Sequence, residues 1–312
     1  MRLWHQFQVL AIVGPRQSGK TTLVRALFPT LPYVNLEDPE ERRWVQDDPK
    51  GFLGRFPDGA VLDEVQRVPE LFSWIQVRVD ERGGAGQFVL TGSHQFLLME
   101  AISQSLAGRV ATLRLLPLSL AEWPVKDDEW EDRLLRSAFP GPVVRGIDPG
   151  DWMPNFLQTY LERDVRLVRD IPDLSLFHRF LQLCAARTGQ VLNLSSLAGD
   201  AGISHTTLRA WVSVLEASLL ITLLPPYHAN FGKRLTKSPK LHWLDSGLVC
   251  HLLGIHTRAH LLSHPLRGAI FESWVVSETI KHAYNQGRAA PVFHWRDQHG
   301  HEVDLLIETP EG

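Results

Sequence analysis

Between Gln8 and Val13 the chain is a short apolar run rich in β-branched residues, which predicts a buried strand. Runs of the same kind recur at Pro32–Leu36, Gly59–Leu62, Gln87–Thr91 and Val110–Leu116, separated by stretches with helical spacing. Five short strands alternating with helices predict the α/β class, a parallel sheet with helices on both faces. After residue 118 the pattern changes. Phe156–Arg169 places Leu157, Tyr160, Leu161, Asp164 and Val165 at helical spacing, and residues 119–175 are read as a helical lid or connector.

The next stretch, 176–250, looks like a winged helix. Leu176–Arg187 is amphipathic and Leu194–Gly202 makes a second, shorter helix. Gly202-Ile203-Ser204 is a turn with Ser204 as helix cap. His205–Leu220 follows as a third helix, with Leu208, Trp211, Val212, Leu215 and Leu219 inward. Ile221–Leu224 and Leu241–Leu244, joined by a basic loop, would form the wing. Residues 251–312 end in a helix that carries Phe271, Trp274, Val275 and Glu278, and in a hairpin of Val292–Arg296 and Glu302–Glu308. The expected domains are therefore 1–118, 119–175, 176–250 and 251–312.

Composition narrows the classes. With 44% hydrophobic and 21% charged residues, the chain has the balance of a globular protein and not of a disordered or fibrous one. A net charge of −3 supplies no global attraction to nucleic acid, so any basic surface is local. Cys184 and Cys250, far apart, have neither metal-ligand spacing nor a disulfide framework and read as buried thiols in a reducing cytoplasm. No run of 18 apolar residues suggests a membrane span, and the N-terminus lacks a cleavage-site pattern.

The chemistry is concentrated where the first strand ends. Gly14-Pro15-Arg16-Gln17-Ser18-Gly19-Lys20-Thr21 is G-x-x-x-x-G-K-[ST], with a strand before it and a helix after it. Such a loop wraps its amide hydrogens round phosphates at a helix N-terminus. Residues 14–21 and Thr22 are accordingly expected to bind ATP. Lys20 would reach the β- and γ-phosphates and the Thr21 hydroxyl would sit on magnesium.

Gly59–Glu64 is an apolar strand ending in two carboxylates, Asp63 for the metal and Glu64 to polarise the attacking water. At the end of Gln87–Thr91, Ser93 is the candidate for sensing the γ-phosphate, with Thr91 behind it. Arg109, and less so Arg16, could stabilise transition-state charge from the same chain or a neighbouring subunit.

In the winged-helix region the start of the third helix offers Ser204, His205, Thr206, Thr207 and Arg209. Five basic residues (Arg209, Lys233, Arg234, Lys237, Lys240) face two acidic ones (Asp200, Glu216) over 188–240. That patch could grip double-stranded DNA through its phosphates, or the module could dock a protein partner. In the last segment Glu302 and Asp304 share one strand face. Nucleases with a helix Glu and strand carboxylates hold magnesium this way, but also need an acid and a Lys on a following strand. Gly312 comes before such a strand, so a truncated nuclease-like segment is expected.

Taken together the chain resembles the prokaryotic AAA-type ATP-binding proteins whose ATPase core is followed by a winged helix and a restriction-endonuclease-like segment. The resemblance rests on GPRQSGKTTL at 14–23, LDEVQRVPEL at 62–71, LTGSHQ at 90–95, SLAGRV at 105–110 and PLSLAEW at 117–123. It continues in LERDV at 161–165, KSPKLHWLDSGL at 237–248 and FHWRDQHGHEVDLLIE at 293–308. It implies ATP binding by Lys20 and Thr21, magnesium at Asp63 and catalysis by Glu64. The expected activity is an ATP-driven switch in the cytoplasm, able to oligomerise and coupled to a DNA- or protein-binding module. The alternative is a DNA-binding regulator in which ATP is structural.

Overall fold

The structure, a computed structural model, describes residues 1–92, 95–123, 129–160, 173–228, 238–297 and 299–309. The side chains of 95–97 are also outside the description. The chain divides into two compact units, Met1–Leu115 and Leu116–Gly312.

The first unit is built on β1 (Val9–Val13), α1 (Lys20–Leu27), β2 (Tyr33–Asn35), α2 (Pro39–Asp47), α3 (Pro49–Gly54), β3 (Ala60–Asp63), α4 (Leu71–Arg82), β4 (Phe88–Gly92), α5 (Gln95–Ser105) and β5 (Val110–Arg114). The five strands make one sheet in the order β2-β3-β4-β1-β5, every neighbouring pair parallel. Strand β1, whose five residues are all buried, is an interior strand, pairing Val13 with Gly92 of β4 and Val9 with Val110 of β5. Alternation along the strands feeds two cores. Val9, Ala11, Val13, Leu62 and Leu90 pack with Phe52, Phe72 and Ile75 on one face. Leu10, Ile12, Val61 and Val89 pack with Val24 and Phe28 from α1 on the other.

Local chemistry starts the helices. Asp38 accepts from the Glu40 amide at 2.8 Å, with Pro39 in the first turn of α2. Strand β4 lies between β1 and β3 although it follows both in the chain. Because all strands run the same way, the tips of β1, β4 and β3 stand side by side at one edge of the sheet.

The second unit contains α6 (Trp130–Leu135), α7 (Pro140–Arg145), α8 (Pro149–Thr159), α9 (Leu174–Ala185), β6 (Gln190–Val191), α10 (Leu194–Ala201), α11 (His205–Ala217), β7 (Ile221–Leu224), β8 (Lys240–Trp243), α12 (Ser246–Leu252), α13 (Arg258–Ser263), α14 (Arg267–Asn285), β9 (Val292–Arg296) and β10 (Glu302–Ile307). Helix α8 begins at Pro149, earlier than the helical run read at Phe156–Arg169, because Asp148 caps it through the Gly150 amide at 2.7 Å. Residues 161–172, and with them the LERDV motif, lie outside the described residues.

Helices α9, α10 and α11 and the antiparallel sheet β6-β8-β7 follow one another as helix, strand, two helices, two strands. Ser204 caps α11 by accepting from the Thr207 amide at 3.1 Å, and Gly202, at φ 73°, turns the chain out of α10. Leu208, Trp211, Val212, Leu215 and Leu219 are buried, as their spacing predicts. One buried cluster runs from Leu134 and Trp152 through Phe177 and Trp211 to Ile270, so α6, α8, the three-helix region and α14 share a core.

The Asp245-Ser246-Gly247 motif has a clear job. Asp245 accepts from the Leu248 amide at 2.8 Å, capping α12, and from the Ala138 amide at 2.8 Å. A Cβ on Gly247 would come within 2.5 Å of the Ser137 nitrogen. Among the described residues no helix is long and apolar enough to cross a membrane.

Candidate nucleotide site

The loop between β1 and α1 is held in a shape few sequences tolerate. Gln17 (φ 63°) and Gly19 (φ 94°) are both in the left-handed region, which curls the backbone towards its own concave side. A Cβ on Gly14 would lie 2.1 Å from the Leu115 carbonyl oxygen, so only glycine fits at the close approach of β1 to the end of β5. Lys20 is buried, and its Nζ donates to the Gly14 and Pro15 carbonyl oxygens at 2.9 and 2.8 Å. Ser18 Oγ is buried with no hydrogen-bond partner. An enclosed ammonium and an unsatisfied buried hydroxyl suit a polyphosphate.

The Asp63 carboxylate at the tip of β3 is the hub of the site. Thr21 Oγ1 donates to Oδ2 at 2.8 Å and the Tyr33 hydroxyl to the same oxygen at 2.5 Å. Thr91 Oγ1, at the tip of β4, donates to Oδ1, which also takes the Glu64 amide at 3.1 Å. Burial raises the Tyr33 pKa above the ordinary tyrosine value, and the hydrogen bond to Asp63 and its charge push the same way. The Arg25 guanidinium lies 3.9 Å from the Tyr33 ring centroid, a cation–π contact whose charge works in the opposite direction.

Glu64 is itself left-handed at φ 58°, a position uncommon outside glycine and frequent at functional sites. Its Oε2 accepts from Gln66 Nε2. Gln66 is buried against the tip of β4, where a Cβ on Gly92 would meet its Oε1 at 2.2 Å.

The tertiary structure thus brings Lys20, Thr21, Asp63 and Glu64 together, as their motifs led one to expect. It adds Tyr33 and Gln66, which sequence reading passed over, and gives Thr91 the Asp63 contact. A tyrosine opening the strand beside β3 was the one available signal for Tyr33. Ser93 lies outside the described residues.

Arg109 requires a correction. Its backbone carbonyl accepts from the Val9 amide, at the start of β1 and so at the opposite edge of the sheet from the loop. Its side chain grips Asp80 through Nε at 2.6 Å and Nη2 at 2.8 Å. The length of β1 separates it from Gly14, so the same-chain form of the arginine role is excluded by position. Arg16, by contrast, lies within the loop itself.

In the second unit Ser204, His205, Thr206 and Arg209 are exposed at the start of α11, and Thr207 is half-buried. Beside them runs a groove of about 510 Å³ lined by His205, Arg209, Asn193, Ser195 and Glu216 among others. Lys233, Arg234 and Lys237 lie outside the described residues. Lys240 must be removed from the basic patch: it is 2% exposed and pairs with carboxylates of Glu272, Glu302 and Asp304. The helix acid that joins the Glu302–Asp304 face is Glu272; Glu278 instead accepts from Lys281 Nζ at 2.8 Å and the Leu120 amide at 2.6 Å.

Comparison with known proteins agrees with the first unit and names the rest. An AAA domain matches residues 6–123, a Domain of unknown function (DUF8612) matches 127–259, and a Domain of unknown function (DUF4143) matches 267–312. A variant of RuvB from Thermotoga maritima is 19% identical and covers 70% of this chain and 82% of its own, but its TM-score of 0.35 adds no argument about the fold. The parallel sheet with a phosphate-type loop at the tip of β1, together with the AAA match, defines an AAA-type P-loop ATPase domain. Beyond the class, the chain belongs to the family of the uncharacterized proteins Rv2008c of Mycobacterium tuberculosis and Mb2031c of Mycobacterium bovis. Each is 31% identical over 312 residues, covering 98% of this chain and 69% of the relative.

Proposed function

We propose that the protein binds ATP with magnesium, hydrolyses it, and uses the nucleotide state to change the grip of its second unit on double-stranded DNA or a protein partner. The observation that carries this is the bond from Thr21, beside the buried Lys20 of the loop, to the Asp63 carboxylate, which also accepts the Glu64 amide. Lys20 would leave the loop carbonyls for the β- and γ-phosphates, exchanging neutral acceptors for charged ones. Thr21 and Asp63 would hold magnesium, which draws charge from the phosphates. Glu64 would take the proton of the attacking water once the Gln66 amide releases it. Ser93 would sense the γ-phosphate, and Arg109 could serve only a neighbouring subunit's site.

The order of helices and strands over 174–243 supports a winged-helix reading of the second unit, with His205, Thr206 and Arg209 as its exposed contact points. The alternative is a DNA-binding regulator in which ATP is structural and little hydrolysed.

Magnesium-dependent ATP hydrolysis by wild type and Glu64→Gln, with and without double-stranded DNA, tests the choice. Turnover that falls roughly 100-fold or more in Glu64→Gln, with ATP still bound, is the expected result. ATP binding without turnover under any condition supports the structural role, and no binding at all rejects both.

A further inference from the structure

Outside the nucleotide site, the most unusual cluster lies where β8, α14 and β10 meet. Lys240 Nζ stands 2.9 Å from Glu272 Oε1 and 2.9 Å from Asp304 Oδ1, and pairs with Glu302 Oε1. The Lys240 side chain is 3% exposed. On the same face of β8, His242 is fully buried; its Nδ1 contacts Ser273 Oγ at 3.0 Å. Its Nε2 has no hydrogen bond and lies 3.8 Å from Glu272 Oε1.

Three carboxylates and one buried imidazole nitrogen are a donor set suited to a divalent ion such as manganese or zinc. A helix acid with two strand acids is also what the nuclease-like reading of this segment would ask for. The fit to a metal fails on one atom. Divalent ions take such oxygens at about 2.0–2.6 Å, and the Lys240 ammonium already lies at the oxygens that would have to turn towards the ion. Among the described residues, no three His, Cys, Asp or Glu side chains are set to hold a metal.

We infer that this is a cation site filled from within the chain: the ammonium of Lys240 takes the place of a metal and fastens the β9–β10 hairpin and α14 to β8. Burial opposes the charged ammonium, but the hydrogen bonds of Glu302, Asp304 and Glu272 outweigh it and hold Lys240 above the ordinary lysine pKa. The cluster therefore keeps its cation across the neutral range without a metal. A site closed in this way is a clasp and not a metal-dependent nuclease centre.

The test is manganese binding by calorimetry in an Asp63→Asn background, so that the first unit lacks its metal-binding carboxylate. With Lys240 in place no uptake is expected. Lys240→Ala should take up one manganese ion with at least a tenfold gain in affinity, and Lys240→Ala with Glu272→Gln should lose it again. Uptake with Lys240 present, as tight as in Lys240→Ala, overturns the inference, as does a folded Lys240→Ala that takes up none. Should Lys240→Ala fail to fold, acetylation of the Lys240 amine, read by mass spectrometry, decides. Protection unchanged by manganese supports the internal cation, and manganese-induced reactivity overturns it.

Discussion

Thr21 Oγ1 donates to Asp63 Oδ2 at 2.8 Å, although 42 positions separate the two residues in the chain. That bond joins the first turn of α1 to the tip of β3 and closes the site on one side. The Tyr33 hydroxyl, on the outer strand, closes the other by donating to the same oxygen. Thr21 at the end of the loop and the acidic strand end are thus parts of one hydrogen-bonded unit.

Lys20→Ala should bind ATP more weakly with little change in fold. A hydrogen bond to a charged group is worth about 1.5–3 kcal/mol, or roughly a 10- to 100-fold change in affinity. Titration with a fluorescent ATP analogue measures it, and an affinity equal to wild type would remove Lys20 from the site.

Tyr33 should resist ionisation. Its pKa is raised first by burial and then by Asp63, so the folded protein favours the neutral phenol. Its contribution to stability is fully present below the ordinary tyrosine pKa of about 10 and is lost as pH rises towards the higher folded value. Spectrophotometric titration should find one phenolate signal that appears late in wild type and is missing from Tyr33→Phe. At neutral pH the same substitution should lower stability by about 1 kcal/mol, seen in urea unfolding.

Asp245→Ala should destabilise the second unit strongly. It removes the cap of α12 and leaves the buried amides of Ala138 and Leu248 without their acceptor. Two unsatisfied buried donors cost roughly 2–6 kcal/mol in total. Chemical denaturation followed by tryptophan fluorescence reads this, and a loss below about 1 kcal/mol would contradict the role given to Asp245.

Cys184 and Cys250 should be silent towards thiol reagents in the folded protein. Both are buried, and burial pushes the Cys250 thiol up to about 12 and the Cys184 thiol up as well. Thiolate is the reactive form, so neither should react at mildly alkaline pH until denaturant is added. Prompt reaction of one thiol in native buffer would show that its pocket opens.

The sequence by itself determined the local pieces. Strand, loop and helix at 9–27 are contiguous, and their conformation depends on neighbours a few residues away: glycine where φ is positive, and Ser204 or Asp38 where a helix needs a cap. Alternation within strands likewise put Glu302 and Asp304 on one face, as their shared contact with Lys240 bears out.

What only the tertiary structure decided is which faces and tips meet. Strand order sets β4 between β1 and β3, and so carries Thr91 to Asp63 across 28 positions. It puts Arg109 at the far edge beside Asp80, where no local pattern would have placed it. Packing of α14 and β10 against β8 turned Lys240 from a presumed phosphate contact into the centre of an acidic cluster. Such contacts depend on pairing and burial summed over distant segments, and a residue's near neighbours in the chain carry little trace of them.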